Sequence, residues 1–298
     1  MNAAIETFQA TLPHGITLSC RAAGPREAPV LLFLHGFPQA AFIWDELLVR
    51  FAARFRCVAP NLRGYAGSSV PAEVEAYRSK VLVQDVVALI EQLGAPAAAV
   101  VAHDWGGAVA WTLGVQRPEL LERLIILNSP HPGAFLRELQ GNAAQQAASA
   151  YMNFLVRSDA EALLEADDHA RMWSFFGQVG AAPGSGWLTA ALKERHLEAW
   201  RQGLTGPLNY YRASPLRPPG SGDRTVENIH LEPAQITVRV PTTVIWGEAD
   251  RALLPGLLDG LDAWVPRLTL VRVPDAGHWI VHEQPEKVAR EIESALAR

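Results

Sequence analysis

The stretch His103-Asp104-Trp105-Gly106-Gly107 follows an apolar run, Ala97 to Ala102, and precedes a helical one, Ala108 to Gln116. Strand, tight turn and helix form the setting in which many enzymes mount a serine at the apex, in the pattern G-x-S-x-G. Here the apex is an aspartate. A serine in this place attacks acyl carbon. A carboxylate is better suited to opening an epoxide or displacing a halide at an sp3 carbon, and it leaves an alkyl ester of Asp104 that water must hydrolyse. Such a turn needs small residues around its apex, and Ala102, Gly106 and Gly107 supply them. Taken alone, the five letters fit equally well an aspartate that caps a glycine-containing helix. The rest of the chain decides for the strained turn.

A nucleophilic carboxylate needs a base to activate water, an acid to orient that base, and N–H donors for the oxyanion of the tetrahedral intermediate. Of nine histidines, His278 in Asp275-Ala276-Gly277-His278-Trp279 stands directly after the last strand, where open α/β sheets place their sites. His103 is expected to support the nucleophile, and His282, one turn beyond His278, to be exposed. The acid candidate is Asp250, in a loop that also follows a strand; Glu248 is its rival, with a plain surface role as the alternative. The order Asp104, Asp250, His278, each just past a strand, is the nucleophile–acid–base order of one fold. The oxyanion donors are expected to be the backbone N–H groups of Trp105 and of Phe37, the latter in the His35-Gly36-Phe37-Pro38 loop after the third strand. A simple tight turn is the alternative for that loop.

These residues must be positioned by a mostly parallel sheet, because short apolar runs alternate with helical patterns. Strands are expected near Glu6–Thr11, Thr17–Ala22, Val30–Leu34, Arg56–Pro60, Ala98–Ala102, Leu124–Leu127, Thr242–Trp246 and Leu268–Val273. The first of them, with no helices between, should start the sheet antiparallel. Helices are expected near Phe42–Arg54, Lys80–Leu93, Gly106–Arg117 and Pro285–Leu296. The alternation stops at His131-Pro132-Gly133. From there to about Leu231 the chain reads as helices (Ala143–Val156, Ala160–Ala166, His169–Val179, Trp187–Gln202) ending in the Pro/Gly-rich loop Arg217 to Gly222. The division is therefore a main α/β domain from 1–130 and 232–298, with a helical cap at 131–231 inserted after the sixth strand.

Composition narrows the function. The 298 residues are 49% hydrophobic, enough for a large core. A net charge of −5 without a basic block argues against nucleic acid as a partner. Cys20 and Cys57 are the only cysteines, too few for a disulfide scaffold, and a reducing cytoplasm is the expected setting. The N-terminal stretch has the form of no signal peptide, and no apolar run approaches a membrane span, so no membrane partner is expected. Nine tryptophans exceed what a core needs and suit an apolar pocket. The Cys and His spacing forms no zinc pattern and no phosphate-cradling glycine loop is present, so neither metal nor cofactor is expected.

The chain resembles the α/β-hydrolase-fold epoxide hydrolases, those containing soluble and bacterial enzymes, over nearly its whole length. The resemblance rests on His35-Gly36-Phe37-Pro38, Leu62-Arg63-Gly64-Tyr65, the Asp104 turn, Asn128-Ser129-Pro130-His131-Pro132, Leu208-Asn209-Tyr210-Tyr211-Arg212 and Gly277-His278-Trp279. It implies an eight-stranded, mostly parallel sheet with a helical cap. It also implies two cap tyrosines that hydrogen-bond the epoxide oxygen and stabilise the developing alkoxide. Tyr211 matches one, within an N-W-Y-R-like motif in which Tyr210 takes the tryptophan place. Tyr151 is the match for the other; a packing role is nearly as good a reading of it. The implied pocket is formed by Phe37, Pro38, Trp105, Tyr151, Tyr211 and Trp279. The substrates would be a small-molecule epoxide and water, and the protein a monomer or homodimer. Asn61, Ala66 and Ala102 depart from the usual Asp, Gly and Gly of the pattern, at positions of packing and loop geometry.

The nearest alternative is a haloalkane or haloacid dehalogenase, which shares the aspartate. A halide needs two N–H donors, and Phe37 stands where a side-chain donor is often found. A haloacid needs a cation for its carboxylate, and the places beside the nucleophile hold Trp105 and Ala108. A non-catalytic ligand-binding protein could lose a triad member, but here all three are present.

Overall fold

The computed structural model describes residues 4–181, 184–220 and 223–298. Ser221 and Gly222 of the Pro/Gly-rich loop and the first three residues of the N-terminal stretch lie outside the described residues. Among the described residues eight strands are formed: β1 Glu6–Thr11, β2 Thr17–Ala23, β3 Val30–Leu34, β4 Arg56–Pro60, β5 Ala99–His103, β6 Leu124–Leu127, β7 Thr242–Gly247 and β8 Leu268–Val273. They join one sheet in the order β1-β2-β4-β3-β5-β6-β7-β8. β1, β2 and β4 pair antiparallel, and from β4 through β8 every pairing is parallel.

The central strands are buried along their whole length, as expected when helices cover both faces of a parallel sheet. Alternate side chains serve two cores. Leu32, Leu34, Val100, Ala102, Ile126 and Val244 face one, and Leu31, Phe33, Val101, Ile125, Leu127 and Ile245 face the other. The helices in chain order are α1 Asp45–Phe51, α2 Ser79–Leu93, α3 Trp105–Gln116, α4 Pro132–Gly141, α5 Ala143–Ala148, α6 Tyr151–Leu155, α7 Ala160–Gln178, α8 Ala190–Trp200, α9 Thr205–Ala213, α10 Pro233–Ile236, α11 Ile280–Glu283 and α12 Pro285–Ala297. Helices α2 and α3 lie on the first core, α1 and α12 on the second. Helices α4 to α10 all fall between β6 and β7 in the chain.

One helical expectation is corrected, and two helices, α4 and α9, stand where the sequence pattern names none. The His131-Pro132-Gly133 break is the start of α4: proline is favoured at a first helical position, and the His131 ring accepts a hydrogen bond from the Gly133 N–H at 3.2 Å. The single helix expected over Ala143–Val156 is two, α5 and α6, separated at Ser149-Ala150, where Ser149 is tied to the Gln145 side chain at 2.8 Å. The Leu208–Arg212 motif lies on a helix, α9, whose Thr205-Gly206-Pro207 opening does not read as helical. The expected break between Ala166 and His169 is present inside α7, where Asp167, Asp168 and His169 have φ of 52°, 49° and 64°. Among the described residues, no helix is long and apolar enough to cross a membrane.

The sheet order marks one place on the sheet edge. β3 lies between β4 and β5, so the chain winds to one side of β3 and then the other. Crevices at such a switch point, outside the carboxyl ends of the strands, are where open α/β sheets bind ligands.

Candidate active site

Asp104 sits at the end of β5 with φ 51° and ψ −123°. A non-glycine residue in so sparsely populated a region costs on the order of 1–3 kcal/mol. The surroundings hold it there. The Ser129 hydroxyl donates to its carbonyl at 2.7 Å and the Ala108 N–H at 3.1 Å. A Cβ on Gly106 would meet the Leu34 and His35 carbonyl oxygens at 2.5 Å, so the turn and the β3 loop approach through backbone alone. The Asp104 side chain makes no capping bond to α3. It points instead at the neighbouring loop, where the Phe37 N–H donates to Oδ1 at 2.6 Å; the Trp105 N–H lies near enough to lower the pKa of the same carboxylate. Because β3 and β5 are adjacent, the two expected oxyanion donors meet at one group.

His278 lies beyond β8 and is buried. Its Nδ1 is 2.8 Å from Asp250 Oδ2, and its Nε2 is 3.8 Å from Asp104 Oδ2. With the Nδ1 proton given to Asp250, Nε2 is left as the acceptor on the Asp104 side. Asp250 itself is fixed by the Ala252 and Leu253 N–H groups on Oδ1, at 2.8 and 2.9 Å, and by Asn128 Nδ2 on Oδ2 at 2.7 Å. Its rival Glu248 turns to Arg272 at 2.9 Å at the surface. His103 is buried beside His278, with Nε2 2.8 Å from the His278 carbonyl and the rings 4.8 Å apart.

Burial pulls the His278 pKa down, but the charges of Asp250, Asp104 and Glu283 outweigh it and leave the pKa above 6.5. Asp104 is pushed up by burial, against the pull of His278 and the two N–H donors. Burial holds His103 well below its ordinary value, so it stays neutral next to His278. The expectation that His282 is exposed is corrected: it is half-buried, stacked on Trp187 at 5.0 Å and 2.8 Å from the Gln39 amide.

A cavity opens over Asp104, lined by Trp105, Tyr151 and Tyr211 together with Ala108, Thr112, Phe135, Met152, Leu216 and Leu253 among others. The Tyr211 ring meets Trp105 at 5.0 Å and Phe37 at 5.2 Å, and lies 6.2 Å from the Tyr151 ring. Burial raises both phenol pKa values well above 10, so both keep their protons. Among the described residues, no Lys or Arg lines the cavity. Three expected pocket residues do not line it. Pro38 borders a smaller space on the far side of Phe37, where its carbonyl accepts from the Trp200 indole at 2.7 Å. Trp279 is stacked flat on Phe176 at 4.3 Å and is consumed in joining α7 to the β8 loop. Phe37 reaches the site through its N–H and its contact with Tyr211, not as a cavity wall. Among the described residues, no three His, Cys, Asp or Glu side chains gather as a metal site.

Residues 29–285 match the alpha/beta hydrolase fold family. Epoxide hydrolase 3 of Xenopus tropicalis is 31% identical over 95% of this chain and 75% of its own length. The chain belongs to the epoxide hydrolases of the alpha/beta hydrolase fold. Its relatives include the AB hydrolase superfamily protein YfhM of Bacillus subtilis, 36% identical over 91% of each chain. The crystal structure of the Bacillus megaterium epoxide hydrolase in complex with an inhibitor superposes with a TM-score of 0.88. It is 31% identical and covers 98% of this chain and all of that one.

Within this family member, two site residues carry no role that their local sequence declares. Asn128, at φ 35°, bonds Gly247 through both ends of its amide, at 2.7 and 3.1 Å, as well as Asp250. Ser129 holds the nucleophile's carbonyl. Both follow β6, the strand between those that carry Asp104 and Asp250. That position in the Asn128-Ser129-Pro130 stretch is the available signal.

Proposed function

We propose that this chain hydrolyses epoxides to vicinal diols through an alkyl ester on Asp104. The observation that carries the reading is the pair Tyr151 and Tyr211 on the wall of the cavity that opens over Asp104. A carboxylate oxygen of Asp104 attacks an epoxide carbon, and the ring C–O bond breaks towards the oxygen. That oxygen is a poor leaving group unless donors meet its growing charge, and two buried phenols supply them. Water then gives a proton to His278 Nε2 and attacks the Asp104 carboxyl carbon. Phe37 and Trp105 N–H groups receive the oxyanion and the ester C–O bond breaks; cationic His278 and the Asp104 carboxyl each give a proton to one diol oxygen, which restores neutral His278 and the Asp104 carboxylate. Asp250 orients His278 and stabilises its cationic form. Residues 131–231 act as the cap that carries the tyrosines and keeps the site dry.

A haloacid would find no cation among the described residues of this cavity, and halide release has no use for two phenols. The deciding experiment is a panel of epoxides and haloalkanes scored for diol and halide. Diols are expected with little halide; haloalkanes turning over much faster than every epoxide would overturn the assignment. Tyr→Phe at 151 and at 211 is expected to slow ester formation by up to roughly 10²–10⁴-fold. Each single change should cost less than the double, because one donor partly replaces the other. Full epoxide activity in the double variant removes the tyrosines from the mechanism.

The same reading fixes a pH dependence. Ester hydrolysis needs neutral His278, so its rate should fall as pH drops through the His278 pKa. Esterification removes the Asp104 charge, leaving Asp250 as the main charge raising that pKa. Asp250→Asn should therefore lower the rate and move the acid limb to lower pH. Single-turnover ester decay against pH measures both; a limb that stays in place assigns control to another group.

A further inference from the structure

Helix α9 presents two adjacent phenols in different directions, since successive helical residues are about 100° apart. Tyr211 turns to the cavity over Asp104. Tyr210 turns into the main domain, where it is 1% exposed and packed among Tyr65, Tyr77 and Trp105 with ring centroids 5.5–5.6 Å apart. Its hydroxyl donates to the Arg63 carbonyl at 2.8 Å. That acceptor is held rigidly. The Arg63 guanidinium makes two bonds to Asp85, at 2.8 and 2.6 Å, and a third to the Ala76 carbonyl at 2.9 Å. Arg63 and Asp85 are 4% and 2% exposed, so the ion pair is held without competing water. His14, from the β1–β2 turn, adds a contact to the same carboxylate at 2.6 Å.

The start of α9 is seated on the same loop. A Cβ on Gly206 would fall 2.2 Å from the Gly64 carbonyl oxygen, so helix and loop meet backbone to backbone. That contact fixes the spacing of α9 from the main domain but leaves its rotation about its own axis open. Thr205 and Arg212 tie the other face of α9 to Glu161, at 2.9 and 2.7 Å, and on the face toward the main domain the directional bond is the one from the Tyr210 hydroxyl to the Arg63 carbonyl. The N-W-Y-R pattern has a tryptophan at this place, and Tyr210 supplies a hydroxyl instead.

We propose that Tyr210 is a positioning residue: its bond to the Arg63 carbonyl sets the rotation of α9 and thereby aims the Tyr211 phenol at the oxygen of the bound epoxide. This rests on the epoxide reading of the site. The neighbouring Trp105 ring touches both tyrosines, so a shift of Tyr210 is passed on to Tyr211.

The test is Tyr210→Phe, which removes one hydroxyl and keeps the ring. The rate of ester formation on Asp104, followed by quenched-flow mass spectrometry, should fall about 10- to 100-fold, the effect of a misplaced group of about 1 Å. The epoxide concentration that half-saturates ester formation and the ester hydrolysis rate should stay close to those of the parent. In a Tyr211→Phe background the same change should cost less than about threefold, because the group being aimed is gone. Equal losses in both backgrounds, or no loss in the parent, would overturn the proposal. If the parent opens no epoxide, the epoxide reading fails instead. A crystal structure of Tyr210→Phe then decides the positioning alone: a displaced Tyr211 hydroxyl supports it, and an unmoved one overturns it.

Discussion

Asp104→Ala is expected to lose turnover of every epoxide, by roughly 10⁴-fold or more, while folding as well as the parent or better. Removing the carboxylate deletes the covalent route, and the hydroxyls and phenols left on the cavity wall are poor bases with which to direct water at an epoxide. Stability should move the other way. Burial raises the Asp104 pKa, so the folded state disfavours the ionised form relative to the unfolded chain. A raised carboxyl pKa contributes stability only at low pH and loses it as pH rises through the folded value, so at neutral pH the charge is a net burden. The strained backbone is not made worse, because aspartate already carries a Cβ. The checks are diol formation and Tm at neutral pH. Substantial residual activity removes Asp104 from the nucleophile's role. A large drop in Tm means that its bond to the Phe37 N–H holds the loop together.

The strands are legible in the sequence because each central strand is built on a short apolar core. Runs such as Val30–Leu34 and Leu124–Leu127 leave little choice in a chain that alternates with amphipathic helices. The triad is legible for a related reason: its members follow strands directly, so chain order alone gives their place on the sheet edge. Which loops face each other is not legible. Asn128 joins Asp250 to the β7 turn only because β6 is the strand between β5 and β7, and strand order is not written in any local pattern.

The inserted helices are the hardest to read, and the reasons are local. His131-Pro132-Gly133 carries two residues that usually break structure, yet the proline occupies a first helical position and the His131 ring caps the turn. Thr205-Gly206-Pro207 looks like a loop because its glycine answers to a tertiary demand, the close passage of Gly64, not to helix propensity. Trp279 has the residue type of a pocket wall, but its flat partner Phe176 comes from α7, far away in the chain. His282 escapes its local pattern for the same reason: the Trp187 that covers it lies outside any pattern around it.

His278→Gln should separate the two chemical steps. The variant is expected to alkylate Asp104 and then stall, with ester hydrolysis slowed by roughly 10²–10⁴-fold or more. Folding should survive, because Asp250 keeps the Ala252 and Leu253 N–H groups and Asn128, and the glutamine amide replaces the lost Nδ1 donor in kind. The nucleophile, the phenols and the two N–H donors are all left in place, so ring opening has what it needs. Electrostatics adds a secondary effect: His278 pulls the Asp104 pKa down, and its loss lets that pKa rise, so the experiment belongs at mildly alkaline pH. Intact-protein mass spectrometry after mixing with an epoxide should show the protein mass plus that of one epoxide, and peptide mapping should place it on Asp104. If the folded variant binds epoxide yet only unmodified protein is seen, while the parent forms diol, then water attacks the epoxide directly and Asp104 is not alkylated.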